Sequence, residues 1–365
     1  MNQHLGRTYS AATSAESYLL IAGGLNRQRK PSSDLFIYDS QKNIWYKSNL
    51  SSPRYSLSAA SYGSIAAFAG GRSYKIDDTV DILDMKSLTS KRLHLSSPRA
   101  SLAATAGNKK ILFAGGGENQ NETTATVDIL DLSTLTWKIS NLSQARLNLS
   151  AASTDCYAIF AGGLSGQTTY DVVDIYNYQT EIWTTTTLSK PRHGLAAAAT
   201  LTTAAFAGGI SENACSAIVD IFDAKSCSWK TANLSVPRAY LTATSFNELL
   251  IFAGGYTFKE DGTTAISDII DIYNTSTHSW TTDKLSEARH GLSSCSSHDK
   301  VIFIGGSSLN DGSSLYSDTI DFFNPKTQKL FTKNLSDIKF SNKQLIFIPS
   351  ENYIKSERIR GKQVE

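Results

Sequence analysis

A pair of adjacent glycines closes a short apolar run seven times along this chain, and that recurrence constrains the fold more than any other feature. The doublets are Gly23–Gly24, Gly70–Gly71, Gly115–Gly116, Gly162–Gly163, Gly208–Gly209, Gly254–Gly255 and Gly305–Gly306. Their first glycines stand 47, 45, 47, 46, 46 and 51 residues apart, a spacing that marks one supersecondary unit per repeat. The runs that they end include Leu19–Ile21, Ala66–Ala69, Ile111–Ala114, Ile251–Ala253 and Val301–Ile304. These are too short for a core helix and read as buried strands, with glycine where backbones approach closely.

The surroundings of each doublet recur in phase. Sixteen residues before the first glycine stands an arginine: Arg7, Arg54, Arg99, Arg146, Arg192, Arg238 and Arg289. Beyond the doublet, after a connection of varying length, comes a strand that carries an aspartate in six repeats (Asp81, Asp128, Asp174, Asp220, Asp271, Asp321) and Phe36 in the first. A turn-former follows it: Asp39, Asp84, Asp131, Asn177, Asp223, Asn274 or Asn324. Asp and Asn bond the backbone two residues on and start a tight hairpin. Six residues later stand Trp45, Trp137, Trp183, Trp229 and Trp280, all the tryptophans of the chain, with Ser90 and Leu330 in the second and seventh repeats. A Leu-Ser-x-x-Arg segment such as Leu188–Arg192 then leads into the next repeat.

This pattern, written in one unit as Arg192…Phe206-Ala207-Gly208-Gly209…Val219-Asp220-Ile221-Phe222-Asp223…Trp229, resembles the kelch repeat. The resemblance spans roughly residues 7 to 335 and implies an all-β, seven-bladed β-propeller with four antiparallel strands per blade, A to D. Residues 1–335 are expected to form the propeller, with repeats starting near 7, 54, 99, 146, 192, 238 and 289. Strand A is rich in small residues, as in Ala103–Thr105, Ser150–Ala152 and Ala196–Ala199, because seven copies must converge on one axis. Residues 336–365 break the pattern. There Lys339 replaces the arginine, and Leu345–Ile348 reads as a strand that either helps close the ring or lies across an edge; Lys355–Glu365 is charged and expected to be disordered.

Composition narrows the function classes. A net charge of +2 gives no support to a nucleic-acid partner, and no run of 18 or more apolar residues offers a membrane span. Met1–Ser10 lacks the apolar core of a signal peptide. Cys215 and Cys227 flank one strand and are too far apart to bridge, so free thiols and a cytoplasmic location are expected. Seven Asn-x-Ser/Thr sites are present, but four of them (Asn49, Asn141, Asn233, Asn334) belong to the repeat itself.

Antiparallel strands put the D–A and B–C connections at one end of every blade, so the arginines share a face with the connections of most variable length. The longest of these are Tyr256–Asp268 and Ser307–Asp318, and variable loops on a rigid scaffold are common places for recognition. Two readings of the arginines follow. As a cationic rim, Arg54, Arg99, Arg146, Arg192, Arg238 and Arg289 would bind carboxylates, and the resemblance to kelch adaptors that recruit acidic peptides points the same way. As structural groups they would pair with the strand-C aspartates, which relieves a mutual repulsion of about 0.4 kcal/mol per neighbouring pair at ~10 Å in water. In that case one arginine near blade one lacks its partner.

His193, His290, Tyr55 and Tyr240 complete the candidate binding set. The histidines follow their arginines directly, yet only Tyr55 offers a third metal donor. The cysteine–tyrosine setting of kelch copper oxidases is also not matched by Cys156, Cys215, Cys227 or Cys295, so no metal or other cofactor is expected. The expected function is a protein-interaction module, monomeric and non-enzymatic, binding a partner with an acidic segment; the alternative is a kelch-type sugar-acid epimerase or mutarotase.

Overall fold

Seven antiparallel sheets of four strands each stand around one axis, each in the order A-B-C-D along the chain. The computed structural model describes residues 5–297, 300–310, 313–341 and 348–349, and among these no α-helix occurs and no helix is long and apolar enough to cross a membrane. Blade five shows the unit: Ala196–Ala199, Thr203–Ala207, Ile218–Asp223 and Ser228–Asn233. The seven A strands neighbour one another in sequence order and the seventh meets the first, so the ring is closed and A lies innermost. Crowding at the axis explains why blade five builds its strand A from four alanines.

Every core cluster lies between two blades. Blade five offers Ala196, Ala198 and Val219 to Phe252 and Tyr273 of blade six, while Phe206 and Phe222 on its other face pack against Ile159 and Ile175 of blade four. Strand alternation produces this arrangement: successive side chains point to opposite faces, so a blade buried on both faces is apolar at nearly every position of B and C. The tryptophans of strand D cap the stack. Trp229 lies 5.1 Å from Phe222 and 6.1 Å from Phe206 between ring centroids.

No covalent connection joins blade seven to blade one, and both chain ends meet at that seam. Here Ile302, Ile304, Ile320 and Phe322 pack on Ile21, Phe36, Tyr38 and Trp45, with Leu335, Ile338 and Phe340 added from the segment after the last strand. The Leu-Ser-x-x-Arg link is thus split in two. Its leucine is Leu335, while its arginine is Arg7, whose carbonyl accepts from Gly306 as Arg238 does from Gly209.

Residues 5–10 therefore supply the link that closes the ring, and the segment after the last strand adds Leu335, Ile338 and Phe340 to the packing at the same seam. Phe340 stacks on Phe36 and bridges Trp45 of blade one, and Ile348–Pro349 pairs in parallel with Thr89–Ser90 of blade two. The added strand meets blade two at Ser90, where five of the repeats carry tryptophan. The expectations for Leu345 and for Lys355–Glu365 lie outside the described residues.

Candidate functional site

The link between blades is a clamp on the blade that follows. In Leu188–Arg192 the leucine is buried, the Ser189 N–H donates to Asp220 of blade five at 3.0 Å, and Arg192 reaches the same carboxylate. Five further links repeat the serine contact, from Ser51, Ser96, Ser143, Ser235 and Ser286 to Asp81, Asp128, Asp174, Asp271 and Asp321. The guanidinium also satisfies backbone carbonyls at the doublet, where strand B ends. Arg192 donates to Gly208 at 2.8 Å and Ile218 at 2.7 Å, and Arg146 to Gly162 at 2.7 Å. Fixed arginine-to-doublet spacing follows, since the side chain reaches a carbonyl at the end of strand B. That carbonyl is the first glycine's for Arg7, Arg146, Arg192, Arg238 and Arg289, and that of Phe68 or Phe113 for Arg54 and Arg99.

This geometry corrects the cationic-rim reading. Arg54, Arg99, Arg146, Arg192, Arg238 and Arg289 are each 0% exposed and pair with Asp81, Asp128, Asp174, Asp220, Asp271 and Asp321. Burial lowers the pKa of all six, against the opposing pull of the carboxylates. A guanidinium sealed on all sides contributes to the scaffold and presents no donor to a ligand.

The expected unpaired arginine is corrected too. Phe36 holds the aspartate position of blade one, but Asp34, two residues earlier on the same face of strand C, meets Arg7 at 3.1 Å. The guanidinium lies 4.1 Å over the Phe36 ring. Burial lowers Arg7 to about 10 despite this partner. At Asp34 burial favours the neutral acid, yet Arg7 and Lys47 outweigh it and hold the carboxyl below its ordinary 3.8.

What the face does present is set by the residue two places after each arginine. Tyr9, Ser56, Ser101, Asn148, Gly194, Tyr240 and Gly291 all adopt the left-handed conformation, with φ between 51° and 64°. Each N–H donates to the carbonyl of its counterpart one blade earlier: Ser56 to Tyr9, Ser101 to Ser56, Asn148 to Ser101, Gly194 to Asn148, Tyr240 to Gly194, Gly291 to Tyr240, and Tyr9 to Gly291. Seven backbone hydrogen bonds of 2.9–3.4 Å thus run round the mouth of the channel. Left-handed backbone costs roughly 1–2 kcal/mol for a non-glycine residue, and the ring holds five of them in place.

Because the ring fixes the backbone, its side chains shape the mouth. Two are glycines, and each lies beside a tyrosine: a Cβ on Gly194 would meet the Tyr240 ring at 3.0 Å, and one on Gly291 would meet Thr8 at 2.9 Å and Tyr9 at 3.8 Å. The resulting cavity, about 220 Å³, is lined by Tyr9, Ser10, Asn148, Gly194, Tyr240 and Gly291 with the leucines that follow. Tyr256 of the blade-six loop stacks on Tyr240 at 5.7 Å and meets Phe258 and His290 edge-on. Burial raises the pKa of Tyr240 and Tyr256, so both hydroxyls stay protonated. Burial also lowers both His193 and His290, so the neutral ring prevails at pH 7. The mouth is therefore aromatic and uncharged.

Of the candidate residues, Tyr240 lines the mouth, His290 joins its aromatic flank, and His193 stands beside Thr169, 3.3 Å away. Tyr55 is placed elsewhere, bridged to Arg72 at blade two. Among the described residues no group of three His, Cys, Asp or Glu side chains is arranged to hold a metal ion. Tyr9, Tyr256 and Gly194 were not singled out from sequence, although a reading two residues past each arginine reaches two of them.

Residues 2–146 match the model of the KLHDC2/KLHL20/DRC7 Kelch-repeats domain, a span that holds the first three blades. The other four blades carry the same arginine, glycine doublet and aspartate in the same places. No curated protein matches the chain.

Proposed function

Because the chain is a kelch-repeat propeller, a fold consistent with a protein-interaction module, we propose that it binds a protein partner on the face carrying the D–A and B–C connections. One observation carries this reading: the ring of left-handed residues leaves a preformed, uncharged aromatic mouth there, with Tyr9 and Tyr240 at its wall and Tyr256 stacked on Tyr240. Tyrosines fixed by stacking lose little freedom on binding and are enriched among residues that dominate interface energies. Among the described residues no pair of carboxylates lines the mouth to serve as acid and base, so the epimerase alternative gains nothing from the geometry. With the clamp arginines buried, an acidic partner can no longer be argued from them.

The test is a binding isotherm. A protein captured by the purified chain from its native cell extract is identified and titrated against wild type and the Tyr240→Ala/Tyr256→Ala variant. Hot-spot tyrosines are worth about 2 kcal/mol or more, so affinity should fall roughly thirtyfold or further with the melting temperature unchanged. Equal affinity in a folded variant rules out the mouth as the docking site.

A further inference from the structure

Charge on the loop face is sorted by blade. The blade-one connection carries Arg27, Arg29 and Lys30 within four residues, all exposed, with no acidic residue between Leu25 and Ser33. None of the ion pairs among the described residues involves these three; the nearby Asp34 is taken by Arg7 and Lys47. Blade two adds Arg72, which donates to the Glu118 carbonyl, and the exposed Lys75, beside Tyr74, which is 98% exposed; the same connection also carries Asp77, which accepts from Ser52, and Asp78, which pairs with His94. By contrast, the connections of blades three, five and six present Glu118, Glu122, Glu212, Glu260 and Asp261, all exposed, with Lys259 the one exposed cation among them.

The basic tip is built. The Asn26 side-chain oxygen accepts from the N–H groups of Gln28 and Lys30 at 3.0 Å each, the Asn26 N–H donates to Lys30, and the Arg29 N–H returns to Asn26 at 2.8 Å. Arg29 is held at φ 57°. Arg27 is anchored across the seam by its Nε, which donates to the carbonyl of Tyr316 at 3.1 Å. Arg29 and Lys30 are thus held exposed on a short turn with no ion pair, while Arg27 lines a cavity with Glu287 and Asp318 across the seam; adjacent cations of this kind carry an electrostatic cost that an anionic group would relieve.

We propose that the blade-one turn Arg27–Lys30, with Arg72 and Lys75 of blade two, docks an acidic segment of the protein partner. This rests on the loop face being the docking face, and it locates the acidic contact on exposed loop cations instead of the buried clamp arginines. Charge complementarity favours a short acidic peptide over nucleic acid: the basic sector covers two blades, and the acidic loops of blades three, five and six would repel a phosphate backbone laid across the face. The same acidic loops orient the segment, with its anionic part over blades one and two.

A fluorescein-labelled peptide of six glutamates flanked by Gly-Ser is the probe, titrated by anisotropy at 50 and 200 mM salt. Binding should weaken with salt and fall at least tenfold in the variant Arg27→Glu/Arg29→Glu/Lys30→Glu. The control Lys326→Glu/Lys329→Glu, in the C–D hairpin at the opposite end of blade seven, should leave it unchanged. Failure of the peptide to bind wild type, or equal loss in both variants, overturns the proposal. Tighter binding of a twelve-nucleotide single strand, lost in the same triple variant, assigns the patch to nucleic acid and also overturns it. The identified partner separates the two readings. If Tyr240→Ala/Tyr256→Ala abolishes its capture and the triple variant does not, the face stands and the acidic contact falls; if neither does, both fall.

Discussion

Replacing Arg192 by methionine tests the clamp where it is most complete. The side chain is 0% exposed, and Asp220, its partner, is 3% exposed. Methionine removes the charge and the donors to Gly208 and Ile218, and leaves Asp220 with the Ser189 N–H at 3.0 Å. Removing one member of a buried ion pair costs about 3–5 kcal/mol, because a carboxylate stays behind in low dielectric without a counter-charge. At about 2.1 cal/mol/K per residue, unfolding 365 residues carries an entropy of about 0.77 kcal/mol/K, so 4 kcal/mol lowers Tm by about 5 °C. Thermal unfolding followed by circular dichroism and by calorimetry reads this directly. The double variant Arg192→Met/Asp220→Leu removes the orphaned charge and should recover most of the loss, since apolar pairs of similar volume replace buried ion pairs at little cost. A single variant losing less than about 1 kcal/mol, the scale of an exposed pair, would refute the clamp, as would a double variant less stable than the single.

Four more outcomes are expected. Arg7→Met should cost only about 1 kcal/mol, because the Asp34 side chain is 23% exposed and rehydrates. Since Asp34 titrates below its ordinary 3.8 in the folded state, its contribution is present above pH 4 and lost as pH falls through the folded value. Urea midpoints of wild type and Asp34→Asn should therefore converge between about pH 4 and 2. Gly209→Ala puts a Cβ 2.8 Å from the His193 carbonyl at φ 98°, so the urea midpoint should drop by the equivalent of about 1–3 kcal/mol; an unchanged midpoint contradicts the close approach. In an aromatic disulfide assay the exposed Cys156 and Cys227 should react in the native protein and the buried Cys295 only after unfolding, with four thiols in all; a total of two would reveal a disulfide.

The blade count was legible because every repeat has to solve the same contacts. Arg238 donates to the carbonyl of Gly254, sixteen residues on, and the path between them crosses only the strand A–B hairpin, with no variable connection in it. That rigidity keeps the spacing of sixteen residues constant. The role of the arginines was not decided by it, since a periodic charge looks the same whether it points into a channel or into a protein wall. Asp34 was missed because a shift of two positions on a strand keeps the face but breaks the alignment with the other aspartates. The mouth was harder still. Tyr9 and Tyr240 are distant in the chain, and only backbone bonds between blades put them round one opening. Of the candidate binding set, Tyr240 and His290 stand at that opening, and the six arginines lie behind it.

The split link at the seam has a consequence in time. Arg7 donates its N–H to the carbonyl of Ser317, a residue synthesised 310 positions later. At about 5–20 residues per second, the hook made first waits roughly 15–60 s for its socket. Through that interval Ile21, Phe36, Tyr38 and Trp45, which blade seven finally covers, stand on the open flank of a growing crescent. Such surfaces recruit chaperones or neighbouring nascent chains. Contacts of this sequence separation also slow the search for the native state. The last contact of the ring thus joins residues 5–10 to blade seven. A chain whose first ten residues are masked or removed should stall as a six-sevenths ring, visible as a species that binds a hydrophobic dye and elutes ahead of the closed disc.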